Sequence, residues 1–236
     1  MAFMLVREYP LSLFASIPAA TEVHLWSFDC NAPHDDSVLC IEEKARAARY
    51  TIDAPRQEFI AGRATLRTVL GKYLACKPVA IAFTVSAGGK PAIRDHSDLH
   101  FNVTHSGGRG LIAIATSPVG VDIEQLRPVP NAAGLVQRFF TPEEQRQFAL
   151  LPEDQKLAGF FKGWTGKEAL LKAVGVGLAG VEQVAVDLDP AQPARVIRFD
   201  GNSMNWQLKT WMFREGYLAS VAIPMGAMPT ALRGHT

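Results

Sequence analysis

Asp122 and Glu124 stand two residues apart in the apolar run VGVDIEQL (119–126). On a strand, positions i and i+2 face the same side, so the two carboxylates point one way and Val121 and Ile123 the other. That is half of an oxygen-ligand site for a hard cation such as magnesium. Such an ion takes one or two carboxylates and fills its shell with water and phosphate oxygens. By itself the D-x-E spacing fits an ordinary solvated strand face equally well. A third carboxylate, Glu168, lies in FKGWTGKEALLKAV (161–174), with Trp164 one helical turn before it and Lys172 one turn after. The plain reading is a surface Glu–Lys pair worth about 0.3–0.5 kcal/mol beside a core aromatic. The chemical reading is a third metal carboxylate, with lysines next to it for phosphate.

Two more clusters carry polar chemistry. Gly89-Lys90-Pro91 follows a glycine turn, and Thr104-His105-Ser106-Gly107 ends a strand-like segment. A histidine there can donate to a phosphate oxygen, charged or neutral, although a lone histidine also fits a structural role. The N-terminal half holds Lys44, Arg46, Arg49, Arg56, Arg63 and Arg67. Most of these read as helix-surface charge, while one or two arginines could grip a phosphate bidentately.

The elements that must position these residues follow from periodicity. EVHLWSF (22–28) alternates as a strand, 37–50 reads as an exposed helix, and Phe59, Ile60, Leu66, Val69, Leu70 and Tyr73 form the apolar stripe of a helix over 55–74. Strands are expected over 80–85, 99–106, 111–116 and 119–126, with glycine pairs at 88–89 and 107–108 as turns. Thr141-Pro142-Glu143-Glu144 is a helix start. A long helix follows over 157–174, ended by Gly175 and Gly177, and then strands over 183–188, 194–199, 205–213 and 217–223. GRATLRTVL (62–70) precedes a meander ending in GLIAIATSP (110–118), and GKEALLKAV (166–174) precedes one ending in GYLASVAIP (216–224). This points to an α+β fold in which one helix-plus-antiparallel-sheet unit occurs twice, with a cleft between the copies for a ligand.

The bulk numbers agree with such a fold and exclude other classes. The chain has 236 residues, 48% hydrophobic and 20% charged, with a net charge of +1. That is room for one large domain or two lobes of about 100 residues. No overall field draws in nucleic acid or an anionic membrane. The three cysteines, Cys30, Cys40 and Cys76, are odd in number and lack C-x-x-C spacing, which excludes a disulfide framework and a zinc-thiolate site. No stretch approaches 18 uninterrupted apolar residues. The first twenty residues lack a basic start and are interrupted by Arg7, Glu8 and Pro10. A signal peptide is therefore not expected, and a cytoplasmic enzyme is. There is no G-x-x-x-x-G-K-[ST] loop, G-x-S-x-G elbow, H-E-x-x-H pair or dinucleotide-binding glycine pattern.

In order, GKPAI, LHFNVTHSGG, VGVDIEQLRP, RFFTPEE and FFKGWTGKEALLKAVGVGL resemble the motifs of the Sfp-type 4'-phosphopantetheinyl transferases, at that family's spacings. The motif-rich part spans about 89–178, and the layout over 42–223 is compatible with the rest. The resemblance implies two pseudo-twofold-related lobes, 1–118 on the 3'-phosphate and adenine side of coenzyme A and 119–236 carrying the metal motifs, with the active site between them. It implies magnesium on Asp122, Glu124 and Glu168, and Lys167 and Lys172 near the pyrophosphate. Thr104 and His105 would contact coenzyme A phosphates, and Gly89, Lys90 and Pro91 would form the loop beside the adenine. Arg56 is the best match for the 3'-phosphate arginine, with Lys44 as helper and Arg63 as competitor, since no motif fixes the register there.

The implied reaction is that of a holo-[acyl-carrier-protein] synthase. It transfers phosphopantetheine from coenzyme A to a serine of an apo acyl or peptidyl carrier protein, serving fatty-acid, polyketide or peptide assembly, and releases 3',5'-ADP. Glu168, Lys172 and His105 are the expected catalytic groups. Either Glu168 itself or a water on the metal takes the serine proton. Residues 126–150 are the expected carrier-docking region, with Phe139-Phe140 either there or in the core. A monomer without nucleic-acid or membrane partners is expected. The rivals are a coenzyme A-binding protein of the same fold without turnover, and another magnesium-dependent phosphotransferase acting on a nucleotide.

Overall fold

The computed structural model describes residues 4–12, 16–86, 88–202 and 204–225. The tail 226–236, assigned above to the second lobe, and parts of the N-terminal apolar stretch lie outside the described residues. The chain opens with β1 (Leu5–Tyr9), which pairs in parallel with β2 (Glu22–Asp29). The helix expected over 37–50 is divided. Asp36–Val38 make one 3-10 turn capped by Asp35, and α1 starts at Ile41 and ends at Ala47. Helix α2 (Asp53–Tyr73) buries Leu66, Val69, Leu70 and Tyr73 in a core with Trp26, Ile112 and Ile114. Each such side chain contributes about 1.5–3 kcal/mol by leaving water.

A short pair follows, β3 (Phe83–Val85) and β4 (Pro91–Ile93), and then the hairpin β5 (His100–Ser106) and β6 (Arg109–Ala115). The strand expected over 80–85 is shorter because Pro78–Ala80 turn as a 3-10 helix. Gly107 and Gly108 make the hairpin turn with φ of +55° and +82°, which favours glycine at both positions. The chain then runs through β7 (Gly120–Gln125), α3 (Ala132–Phe139), α4 (Pro142–Leu150) and α5 (Glu153–Val174). The second short pair is β8 (Val184–Val186) with β9 (Val196–Phe199), and the last hairpin is β10 (Trp206–Arg214) with β11 (Tyr217–Pro224).

One order of elements therefore occurs twice. A strand, a long helix, a short strand pair and a hairpin follow one another, and in each case the first strand pairs antiparallel with the last. The strand orders are β2-β6-β5 and β7-β11-β10, with β1 added outside β2 in the first sheet and α3 and α4 inserted in the second succession. Apolar side chains of both sheets, among them Val23, Leu25, Leu111, Val121, Ile123 and Val221, form one core cluster.

The edges β5 and β7 lie side by side, joined through side chains. Asn102 Oδ1 accepts from the Val121 N–H at 2.9 Å. Thr104 Oγ1 donates to Asp122 Oδ1 at 2.9 Å. Ser106 Oγ donates to Glu124 Oε2 at 2.7 Å and accepts from the Gln125 N–H at 3.2 Å. The three β5 residues alternate along the strand, so all of them face β7. On the other side, β7 lies against α5. A Cβ at Gly120 would stand 1.9 Å from the Ala169 carbonyl oxygen and 2.5 Å from the Ala173 nitrogen, so only glycine permits this approach.

Candidate active site

The seam between β5, β7 and α5 gathers the predicted acidic residues. Lys172 Nζ lies 2.5 Å from Asp122 Oδ1, 3.3 Å from Thr104 Oγ1 and 3.9 Å from Glu168 Oε2. The surface-pair reading of Glu168 and Lys172 is thus corrected. The lysine's shortest contact is Asp122, on another element, and Asp122 is only 4% exposed.

The electrostatics are those of crowded acids. Burial raises the Asp122 pKa, against the pull of Lys172 and Thr104. Burial also raises that of Glu124, the hydrogen bond from Ser106 opposes it, and the Asp122 charge adds to it. Glu168 is raised by burial, with Lys172 opposing and the charges of Asp122 and Glu124 adding. Three carboxylates face a single ammonium, and Asp122 Oδ2 is buried without a hydrogen-bond partner. Leaving such an oxygen unpaired costs about 1–3 kcal/mol, and more when it is charged. A cation at this oxygen would remove that cost, so the donor set fits a hard divalent ion. Among the described residues no group of three or more His, Cys, Asp or Glu converges into a cage. Asp122, Glu124 and Glu168 are therefore not drawn together as a ready ligand set by the protein alone.

The other predicted residues fall in different places. His105 is exposed at the end of β5, its Nδ1 3.7 Å from Glu58 Oε2 on α2. Arg56 is exposed on the first turn of α2 and Lys44 on α1. Their competitor Arg63 is engaged with the buried Glu43, which also takes Arg67 Nε at 2.6 Å, and its guanidinium lies 4.4 Å over Phe83. Gly89 adopts φ of +84° and Pro91 begins β4.

The side chains of Lys167 and Lys90 are both engaged within the protein. Lys167 is fully buried, with Nζ 2.6 Å from both Glu144 Oε2 and the Val184 carbonyl oxygen. Adjacent helix positions differ by about 100° around the axis, so the neighbour of Glu168 points into the core, away from the seam. Lys90 Nζ donates to the carbonyls of Val119 at 3.0 Å and Ala173 at 2.7 Å. Burial lowers its pKa to about 8.

Phe140 is core, and Phe139 packs edge-on against Trp164 with ring centroids 5.7 Å apart. Trp164 itself is half-buried. It lines a groove of about 360 Å³ with Phe160, Phe161, Leu135, Val129, Pro130 and Arg127, which reaches Glu124. Asn102 is a residue the sequence reading does not single out, although its alternation with apolar Phe101 and Val103 is the available signal, and Ser106 appears there only as a member of the Thr104–Gly107 cluster without a role. The sequence reading also takes Glu144 only as a helix-start acid. Its carboxylate completes the capping box on the Thr141 N–H at 2.7 Å, accepts from the Val186 N–H at 3.0 Å and holds Lys167.

The model of the 4'-phosphopantetheinyl transferase superfamily matches residues 118–222, from the root of β7 into β11. The chain is 36% identical over 211 residues to the 4'-phosphopantetheinyl transferase HetI of Nostoc sp. (strain PCC 7120), covering 86% of this chain and 87% of that protein. It is 31% identical over 141 residues to psf-1 of Bacillus pumilus, 60% of each chain. It is 31% identical over 137 residues to Sfp of Bacillus subtilis (strain 168), 58% of this chain and 59% of that one. With this similarity running through most of its length, and with the acidic seam at its centre, the chain belongs to the Sfp-type 4'-phosphopantetheinyl transferases and is a transferase of that superfamily.

Proposed function

We propose that the enzyme uses magnesium to move 4'-phosphopantetheine from coenzyme A to a serine of an apo acyl or peptidyl carrier protein. The observation that carries this reading is the buried, unpartnered Asp122 oxygen, with Lys172 against the other oxygen of that carboxylate and the charges of Asp122 and Glu124 felt at Glu168. Asp122, Glu124 and Glu168 would hold the ion, which when bound supplies charge neutralisation on the pyrophosphate. Phosphoryl transfer needs positioning and charge neutralisation more than covalent catalysis.

The carrier serine oxygen bonds to the β-phosphorus. The bond from that phosphorus to the oxygen shared with the α-phosphorus breaks, and its electron pair leaves with 3',5'-ADP. Glu168 is our choice of proton acceptor. Asp122 and Glu124 accept side-chain hydrogen bonds from Thr104, Lys172 and Ser106, whereas Glu168 accepts none among the described residues. Thr104 and Ser106 fix the two strand carboxylates. Lys172 and His105 offset phosphate charge. Arg56, with Lys44, reaches the 3'-phosphate, since Arg63 is tied to Glu43. The backbone of Gly89-Lys90-Pro91 borders the adenine. Coenzyme A lies between the halves 1–118 and 119–236, and the Trp164 groove with Arg127 at its Glu124 end receives the carrier.

No helix among the described residues is long and apolar enough to cross a membrane, and Cys30, Cys40 and Cys76 are all free thiols. We place the enzyme in the cytoplasm as a monomer, because one chain supplies both copies of the repeated topology. In Glu168→Gln, 3',5'-ADP release should fall about 10²–10⁴-fold, the range for loss of a general base. Coenzyme A affinity by calorimetry should stay within about threefold of wild type, well under one tenfold step of 1.4 kcal/mol. Undiminished release would sink the assignment of Glu168.

A further inference from the structure

Lys90 belongs to a motif that the resemblance sets beside the adenine, yet its ammonium faces two backbone carbonyls. One of them, Ala173 O, is among the last four carbonyls of α5, which have no partner within the helix. The other, Val119 O, lies immediately before β7. A cation at a helix C-terminus is favourable, and here it reaches there from a third segment.

The packing around it is close on every side. Ser86 N–H donates to Lys90 O and Gly89 N–H to Ser86 O, both at 2.9 Å, which closes the turn that presents the lysine. A Cβ on Gly88 would stand 1.8 Å from the Gly175 carbonyl oxygen, and one on Gly175 would stand 3.0 Å from Lys90 Cβ. The turn is therefore seated against the end of α5. Glu168 and Lys172 lie on the last two turns of that helix, and Asp122 and Glu124 begin two residues after Gly120, where β7 touches Ala169.

We infer that Lys90 is a positioning residue. Its ammonium ties the root of β7 to the C-terminal turn of α5 and so keeps the strand carboxylates in register with Glu168 and Lys172. This rests on the reading of that seam as the transfer site. The two carbonyls engage two of the three ammonium donors, so the inference gives the side chain of Lys90 a structural task that coenzyme A affinity, read separately from rate, can tell apart from nucleotide binding.

The test compares wild type with Lys90→Met and Lys90→Arg. It reads kcat and coenzyme A KM with an apo-carrier, coenzyme A Kd by calorimetry without carrier, and amide exchange at 120–124 and 170–176. A displacement of about 1 Å costs up to about 100-fold in rate. Lys90→Met is accordingly expected to lose about 10- to 100-fold in kcat, with coenzyme A Kd unchanged and faster exchange in both segments. Lys90→Arg, which keeps two donors, is expected to recover part of the rate. A tenfold rise in coenzyme A Kd with kcat retained would make Lys90 a ligand contact and overturn the inference. So would unchanged kcat and unchanged exchange. If Lys90→Met does not fold, Lys90→Gln gives the same split, because its shorter amide cannot span both carbonyls. Failure of the underlying site reading looks different: wild type itself would not modify the carrier, while exchange would still report whether the tie exists.

Discussion

Replacing Lys167 by methionine distinguishes a structural lysine from one that serves the pyrophosphate. Lys167 and Glu144 are both fully buried, 2.6 Å apart. Removing one partner of a buried pair costs about 3–5 kcal/mol because the other charge is left uncompensated. Glu144 keeps two backbone donors, the N–H groups of Thr141 and Val186, which places the expected cost near the lower end, about 3 kcal/mol. For a chain of this size each kcal/mol moves the Tm by about 2–4 °C, so Lys167→Met should melt about 6–12 °C below wild type. The double variant Lys167→Met, Glu144→Gln should recover much of that loss, since an uncharged pair leaves no orphaned charge. Scanning calorimetry reads the Tm, and titration calorimetry well below the transition reads coenzyme A binding, which should be unaltered. An unchanged Tm together with a tenfold weaker coenzyme A affinity would refute the reasoning and return Lys167 to the pyrophosphate.

Other expectations follow from the seam. Ser106→Ala removes the hydrogen bond to the Glu124 carboxylate, so the magnesium concentration for half-maximal rate should rise about tenfold, the equivalent of 1.4 kcal/mol. An unchanged magnesium dependence would mean that Glu124 is held without Ser106. Gly120→Ala drives a methyl into the backbone of α5, so both stability and transfer rate should fall, with a loss of about 1–3 kcal/mol or more in denaturant unfolding. Wild-type stability would show that β7 and α5 separate easily.

The pH dependence of metal-free stability follows from Glu168. Its pKa is raised in the folded state, first by burial. The resulting stability is fully present below the unfolded value of about 4.3 and is lost as pH rises through the folded pKa. Metal-free Glu168→Gln should therefore melt above wild type at neutral pH, and the two should converge in acid. A lower Tm for the variant at neutral pH would contradict the crowding of the three acids.

Local chemistry made some of this molecule legible in its sequence. Thr141-Pro142-Glu143-Glu144 forms its capping box within four residues, and α5 stops at Gly175 with φ of +84°. Period-two alternation located β5 and β7, which is why Thr104, Asp122 and Glu124 were found. What the sequence concealed depends on contacts between distant segments. Lys167 and Lys172 look alike along the helix, and only the packing of α4 and β8 around one of them sends it to Glu144. The parallel partner of β2 is a short strand, β1, whose leading residues carry no clear alternation. The pairing of β5 with β7 through Asn102, Thr104 and Ser106 has no local signal beyond polar residues on one strand face. Lys90 sits in a recognisable loop, but its carbonyl partners lie 29 and 83 residues away.

The most direct measurement is the mass of a carrier. The protein, coenzyme A, magnesium and an apo-carrier are incubated, and the intact carrier is weighed by mass spectrometry, with Asp122→Asn and Glu168→Gln run alongside. The account predicts that wild type adds one phosphopantetheinyl group to the carrier serine and that both variants leave most of the carrier unmodified. Carriers of fatty-acid, polyketide and peptide assembly that all remain at the apo mass with wild-type protein would contradict it.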